Sequence, residues 1–339
     1  MNKIKFGVIG CGHIGKRHAT MVQQNDECEL IALCDAADKD TLGLEGLDVP
    51  FYNTPEEMLA NEPGIDVVCI CTPNGYHFRH ASLCLDHHKH VLVEKPMALT
   101  KAHCEELIYK ALNVSKNVFC VMQNRYSPPS VWLKELVTSG QLGDIYQVQV
   151  NFYCNRDDRY YFKNGEKHAW KGTQDLDGGT LFTQFSHFVD LMYWIFGDIT
   201  NIQGKFNNFT HPHSIAFEDT GLVSFDLVNG GMGCLNYSTA VWDSNLESSI
   251  TVIAQNGSIK VGGQYMNEVE YCHVKDYTFT PLAESNPAND YGHYKGSANN
   301  HPFVFENVVD VIKGRKPIAT NALEGLKVVD IIERIYALR

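Results

Sequence analysis

Residues 5–19, KFGVIGCGHIGKRHA, constrain this chain more than any other stretch. An apolar run over residues 4–9 enters Gly10, Gly12 and Gly15 in G-x-G-x-x-G spacing, and a helical pattern leaves it. A strand, a tight turn and a helix meet all three requirements at once. Gly10 makes the turn, Gly12 lets backbone approach a pyrophosphate, and Gly15 lets helix pack on strand. The unpaired N–H groups at the helix start favour phosphate. Asp35 lies 20 residues beyond Gly15, at the end of the next apolar run, where a carboxylate can accept ribose hydroxyls. The same carboxylate repels a 2′-phosphate, so NAD is expected over NADP.

The first third continues that unit. Strand-like runs at 4–9, 30–34, 67–71, 91–93 and 118–122 alternate with helical patterns at 15–24, 55–60, 76–86 and 101–113. Such alternation implies right-handed crossovers and a parallel sheet covered on both faces. The pattern changes near Gln123. A helix at 131–139 is followed by longer alternating runs at 146–154, 202–206, 220–226, 231–237, 249–254 and 258–261, interrupted by one helical block at 180–196. Closing helices are expected at 300–313 and 321–337, and Asn256-Gly257 as a type I′ hairpin turn. The expected fold class is α/β: a Rossmann-type doubly wound parallel sheet over 1–123, then an α+β substrate and oligomerisation domain over 124–339 with a large open, mostly antiparallel sheet.

Composition narrows the classes. The 339 residues carry a net charge of −12, which disfavours general nucleic-acid binding but allows an anionic ligand held by local cations. No apolar run approaches the roughly 20 residues of a membrane helix. The first residues already read as a strand, so no leader is expected. Eleven cysteines without a pairing pattern suggest reduced thiols and a cytoplasmic setting. The histidines at 87, 88, 90, 211 and 213 lack ligand spacing and read as surface residues, so no metal is expected.

A second feature is VLVEKPMALT at 91–100, where an apolar strand runs into Glu94, Lys95 and Pro96. Ligands of open parallel sheets bind beyond the carboxyl ends of the strands. Thr72, Asn74, His77, Glu94 and Lys95 therefore converge on the nicotinamide end of a bound cofactor. With Gly10, Gly12, His13, Ile14, Gly15, Asp35 and Gln123 they form the expected cofactor set.

The loop, T-P-N-x-x-H at 72–77, E-K-P at 94–96 and an α+β second half together resemble the glucose–fructose oxidoreductase / inositol dehydrogenase family, over essentially the whole chain. The resemblance implies sugar or polyol substrates, a lysine at E-K-P in the active site, and a catalytic histidine after G-G-x₆, which is His187. The reverse reading, a catalytically silent dinucleotide-sensing regulator, is disfavoured by retention of both Lys95 and His187. Many relatives carry an acid four residues before that histidine. This chain has Thr183, with Gln184 beside it. Within the family, DGGTLFTQFSHF, NRDDRYYFKNGEKHAWKGT at 155–173 and YGHYKGSANNH at 291–301 resemble the UDP-N-acetylglucosaminuronate 3-dehydrogenases of bacterial surface-polysaccharide synthesis. That implies a UDP-sugar uronate substrate and, in some members, a small keto acid that reoxidises the cofactor; a free sugar or inositol is the alternative substrate. The expected substrate set is Lys95, Arg125, Asn155, Arg156, Arg159, Tyr160, Thr183, Gln184, His187, Ser297 and Asn299. A homodimer or homotetramer is expected, with no nucleic-acid or membrane partner.

Overall fold

The computed structural model describes residues 3–290 and 295–339. It divides into two compact units, Met1–Met122 with His301–Val329, and Gln123–Asn300 with Asp330–Arg339. The chain thus returns to the first unit after Asn300, a crossing that a single division at residue 123 does not contain.

The first unit is built on a six-stranded parallel sheet, β1 (Ile4–Ile9), β2 (Cys28–Cys34), β3 (Phe51–Tyr52), β4 (Val67–Ile70), β5 (His90–Val93) and β6 (Val118–Cys120). Its order is β3-β2-β1-β4-β5-β6, with the switch point between β1 and β4. Helices α1 (His13–Gln24), α2 (Pro55–Asn61), α3 (His77–Asp86) and α4 (Lys101–Asn113) make the crossovers. Every residue of β4 and β6 is buried, which explains unbroken apolar runs in place of alternation. Thr54 and Thr100 cap α2 and α4 by accepting the N–H of Glu57 and His103.

The second unit opens with α5 (Pro128–Thr138), whose two prolines sit in its first turn, where a missing N–H costs nothing. A seven-stranded sheet follows in the order β10-β11-β12-β7-β13-β14-β15. Its strands are β7 (Ile145–Tyr153), β10 (Ile199–Asn207), β11 (Thr220–Leu227), β12 (Met232–Ser238), β13 (Glu247–Ala254), β14 (Gly257–Gly262) and β15 (Glu268–Val274). Between β7 and β10 lie α6 (Asp158–Tyr161), the short hairpin β8 (Phe162–Lys163) and β9 (Glu166–Lys167), and α7 (Ser186–Phe196). A small hairpin, β16 (Ala288–Asp290) and β17 (Lys295–Ala298), precedes α8 (His301–Ile312) and α9 (Ala322–Tyr336). The large sheet is mixed: β12 pairs with β7 in parallel, and the other neighbours are antiparallel.

The turn between β13 and β14 corrects one expectation. Ala254 pairs with Gly257, so Gln255 and Asn256 form the loop, and neither has the positive φ a type I′ turn requires. Gly257 is needed for another reason: a Cβ there would lie 2.7 Å from the carbonyl oxygen of His273 on β15.

Candidate active site

The glycine loop performs the three tasks its spacing implies. Gly10 adopts φ +91°, and a Cβ there would press to 2.6 Å from the carbonyl carbon of Cys71 at the exit of β4. A Cβ on Gly15 would overlap the Gly10 carbonyl oxygen at 1.8 Å. By contrast, a Cβ on Gly12 would meet nothing within 4 Å, and no side chain caps α1 there. The start of α1, where His13, Ile14 and Gly15 follow Gly12, therefore has an open approach for phosphate. Asp35 accepts the N–H of Cys11 at 2.6 Å through one oxygen and that of Ala37 at 2.9 Å through the other. It braces the loop as well as presenting a carboxylate at the end of β2. NAD should bind more tightly than NADP, and Asp35→Asn, which keeps an acceptor for Cys11, should narrow the gap. Equal dissociation constants for both cofactors in the unaltered protein would contradict this role.

At the exits of β4 and β5 the side chains do different work from that expected. His77 is buried, and its Nδ1 and Nε2 lie 2.7 Å and 2.8 Å from the carbonyl oxygens of Pro96 and Thr72. Burial lowers its pKa, against the pull of the two carbonyls. A neutral imidazole carries one N–H, so it donates to one of these carbonyls while the ring packs against the other, and His77 ties the two strand-end loops together. Thr72 Oγ1 is 3.1 Å from His80 Nδ1, and Asn74 is buried. Glu94 is also buried. Its Oε1 lies 2.9 Å from His18 Nε2 and 3.6 Å from His301 Nε2, and its Oε2 accepts the Lys95 N–H at 3.3 Å. Burial raises the carboxyl pKa, but the two imidazoles outweigh it and hold Glu94 well below the usual carboxylate range. Glu94 is therefore engaged within the protein through both oxygens. The Lys95–Pro96 peptide is cis.

In the second unit the expected residues gather in small groups. Gln123 Nε2 donates to Ser297 Oγ at 3.0 Å. Gln123 Oε1 and Asn299 Oδ1 are buried acceptors with no partner among the described residues, which suits an incoming N–H or O–H. Residues 291–294 of the run at 291–301 lie outside the described residues. Arg125 is a correction: it is 5 % exposed and grips Asp190 on α7 with two bonds, Nε–Oδ2 at 2.8 Å and Nη2–Oδ1 at 2.6 Å. It anchors the helix that carries His187.

The basic segment is likewise partly committed. Arg159 bonds the Asp157 carboxylate at 2.6–3.0 Å and the Asp243 carbonyl at 3.1 Å. Asn155 Nδ2 donates to the Val241 carbonyl at 2.7 Å. Arg156 Nε donates to Gln184 Oε1 at 2.9 Å, and Gln184 Nε2 donates to Tyr160 at 3.0 Å. Three expected substrate residues are thus brought together. Lys171, inside the same segment but not singled out from sequence, sits 4.0 Å from the Tyr160 ring centroid. Burial, opposed by Asp177 and aided by Arg156 and Lys163, draws its ammonium pKa down to about 8.

His187 is 6 % exposed, in the first turn of α7. The preceding residues Leu181–Phe185 form a π-turn, a geometry frequent at functional sites. The simple i, i+4 reasoning that puts Thr183 and His187 on one helix face assumes 3.6 residues per turn, which this segment does not keep. Gly178 and Gly179 have φ +88° and +137°, and a Cβ on Gly179 would strike the Tyr336 hydroxyl at 2.5 Å. That hydroxyl accepts the Leu181 N–H at 2.7 Å. Thr183 donates its hydroxyl to the carboxylate of buried Asp177. Asp177, directly before Gly178-Gly179, is an acid of this site that no motif singles out. A carboxylate does lie beside position 183, one hydroxyl removed.

Of the remaining histidines, His87, His88 and His213 are exposed as expected. His90 and His211 are not: His90 is half-buried and its Nδ1 accepts the Asn117 N–H at 3.1 Å, and His211 is 3 % exposed, with Nδ1 3.0 Å from Asp219 Oδ2.

Residues 4–122 match the model of the oxidoreductase family with an NAD-binding Rossmann fold, GFO/IDH/MocA, and residues 131–260 match the GFO/IDH/MocA C-terminal domain. The chain belongs to that family. Two solved structures similar to it are WlbA dehydrogenases, each in complex with NADH and UDP-GlcNAcA. That from Chromobacterium violaceum is 30% identical, with a TM-score of 0.87 over 100% of this chain and 94% of its own. That from Bordetella pertussis is 28% identical, with a TM-score of 0.86 over 99% and 96%. A curated relative, the D-glucoside 3-dehydrogenase of Escherichia coli K12, is 24% identical over 98% of this chain and 94% of its own. No helix among the described residues is long and apolar enough to cross a membrane.

Proposed function

We propose that the chain oxidises the C3 hydroxyl of UDP-N-acetylglucosaminuronate to a ketone with NAD. The observation that carries this reading is the near full-length likeness to two dehydrogenases whose structures hold NADH and UDP-GlcNAcA. NAD supplies the hydride acceptor. His187 takes the hydroxyl proton as general base, and the Lys95 ammonium orients the hydroxyl and stabilises developing alkoxide. The two roles can be exchanged, since either group can take the proton. The first unit serves the cofactor, and the second serves the substrate. Arg156, Tyr160, Gln184 and Lys171 form its anion-facing group, and Ser297 and Asn299 add neutral hydrogen bonds.

The Lys171 assignment has a pH signature. An ammonium drawn to about 8 is charged below that pH and neutral above it. KM for an anionic substrate should therefore rise as pH passes 8. Lys171→Arg should abolish that rise, because arginine keeps its charge to about pH 12. A KM that stays flat across this range in the unaltered protein would remove Lys171 from the substrate group.

A second reading, a dehydrogenase of a neutral sugar, is favoured by the Asp177 carboxylate next to Thr183 and by the full-length D-glucoside 3-dehydrogenase relative. Calorimetric titration separates the two. UDP-N-acetylglucosaminuronate should bind more tightly than UDP-N-acetylglucosamine or a free glucoside. The opposite order would favour the neutral-sugar enzyme.

A further inference from the structure

The first unit contains a buried trio that no sequence motif announces: His18 on α1, Glu94 at the exit of β5, and His301 at the start of α8. Their exposures are 0 %, 7 % and 1 %. The His18 and His301 rings meet edge to face with centroids 5.9 Å apart, and Phe305 packs on His18 at 5.1 Å. We propose that His18 and His301 hold Glu94 as a positioning carboxylate for Lys95, so that the helix leaving the glycine loop sets the place of the lysine. The proposal rests on the reading of Lys95 as the residue that handles the substrate hydroxyl.

The geometry fixes the lysine backbone on both sides. The Glu94 N–H continues the sheet ladder to the Ile70 carbonyl at 3.0 Å. The Glu94 side chain then folds back, one oxygen meeting His18 and the other accepting the Lys95 N–H at 3.3 Å. One residue further, the Pro96 carbonyl meets His77 Nδ1 at 2.7 Å. Lysine has a long, flexible stem, so precision at its ammonium has to begin at a fixed Cα. Orientation of this kind is worth much in rate, since a misplacement of about 1 Å costs about 100-fold.

The task also explains why the residue is glutamate and not glutamine. An ionised carboxylate accepts with both oxygens. Glutamine would turn its NH₂ either toward the Lys95 N–H, donor against donor, or toward His18 Nε2, which accepts only in the tautomer that puts its N–H on a buried Nδ1 with no partner among the described residues. A buried carboxylate in turn needs a donor beside it. His18 supplies one at 2.9 Å, and His301, at 3.6 Å, adds proximity without a hydrogen bond.

The test uses the full-length protein and four variants, Glu94→Gln, His18→Leu, His18→Gln and Lys95→Met, with kcat, KM and NAD affinity measured for each. NAD affinity reports that the first unit is folded. Glu94→Gln and His18→Leu should lower kcat about 10- to 100-fold, the scale for losing a residue that orients a reacting group, with NAD affinity and KM unchanged. His18→Gln, which restores an amide donor, should recover most of that loss. Each of the following results would overturn the proposal. Glu94→Gln could weaken NAD binding and leave kcat intact, which would make Glu94 a cofactor ligand. His18→Leu and His18→Gln could behave alike, which would make His18 a packing residue. Elemental analysis could find one metal ion per chain that is lost in His18→Leu, which would make the trio a metal site. Lys95→Met fails separately: normal turnover there would sink the lysine assignment, whereas loss in Lys95→Met without loss in Glu94→Gln would sink the positioning role alone.

Discussion

Lys95→Met and His187→Ala should each lower kcat by about 100-fold or more, the scale at which enzymes lose a positioned acid or base. NAD affinity should survive in both, because the glycine loop and Asp35 are untouched. The two substitutions should also be less than additive, since residues that act as a unit in one proton transfer do not contribute independently. Steady-state kinetics on the two single variants and the double variant, with NAD titration alongside, measure all of this. Wild-type turnover in both single variants would return Lys95 to a strand-end lysine and His187 to a buried helix histidine.

The second large effect concerns stability. Asp190→Asn should destabilise the second unit by about 3–5 kcal/mol, the usual result of stripping a buried ion of its partner. Arg125 and Asp190 are 5 % and 1 % exposed, and the guanidinium lies 5.2 Å from the Trp194 ring centroid, so water cannot replace the lost carboxylate. The double substitution Arg125→Leu/Asp190→Leu should recover much of the loss, because it removes both charges and their desolvation cost. Chemical denaturation of the three proteins tests this. A loss below about 1 kcal/mol in Asp190→Asn would mean that the pair behaves as a surface ion pair does.

The fold was legible where pattern and burial coincide. Strands β1, β4, β5 and β6 are apolar because both faces are covered, and α4 matches its helical pattern from Lys101 to Asn113. Strand β15, EVEYCHV, is hard to read because it lies mostly outside the core and its short alternation from Glu268 to Tyr271 breaks at Cys272. The parallel pairing of β12 with β7 could not be read, since nothing local distinguishes strands that become neighbours 85 residues apart. Side-chain commitments were harder still. Arg125 looks like a cleft cation until Asp190, 65 residues on, is placed against it. Glu94 looks like a ligand until His18, 76 residues earlier, is seen on its oxygen. The motifs locate where chemistry is offered, but partners distant in sequence decide which of those groups still have a hand free. Asp177 shows the converse: its adjacency to Gly178-Gly179 was visible, yet only the fold shows that it takes the Thr183 hydroxyl.

The central claim is the identity of the oxidised group. Incubating the purified protein with NAD and UDP-N-acetylglucosaminuronate, and following the sugar ring by NMR, tests it most directly. The account predicts a new ketone at C3, formed with one equivalent of NADH, and faster than with any free sugar in the same panel. Oxidation at another carbon, or fastest turnover of a non-nucleotide polyol, would contradict it.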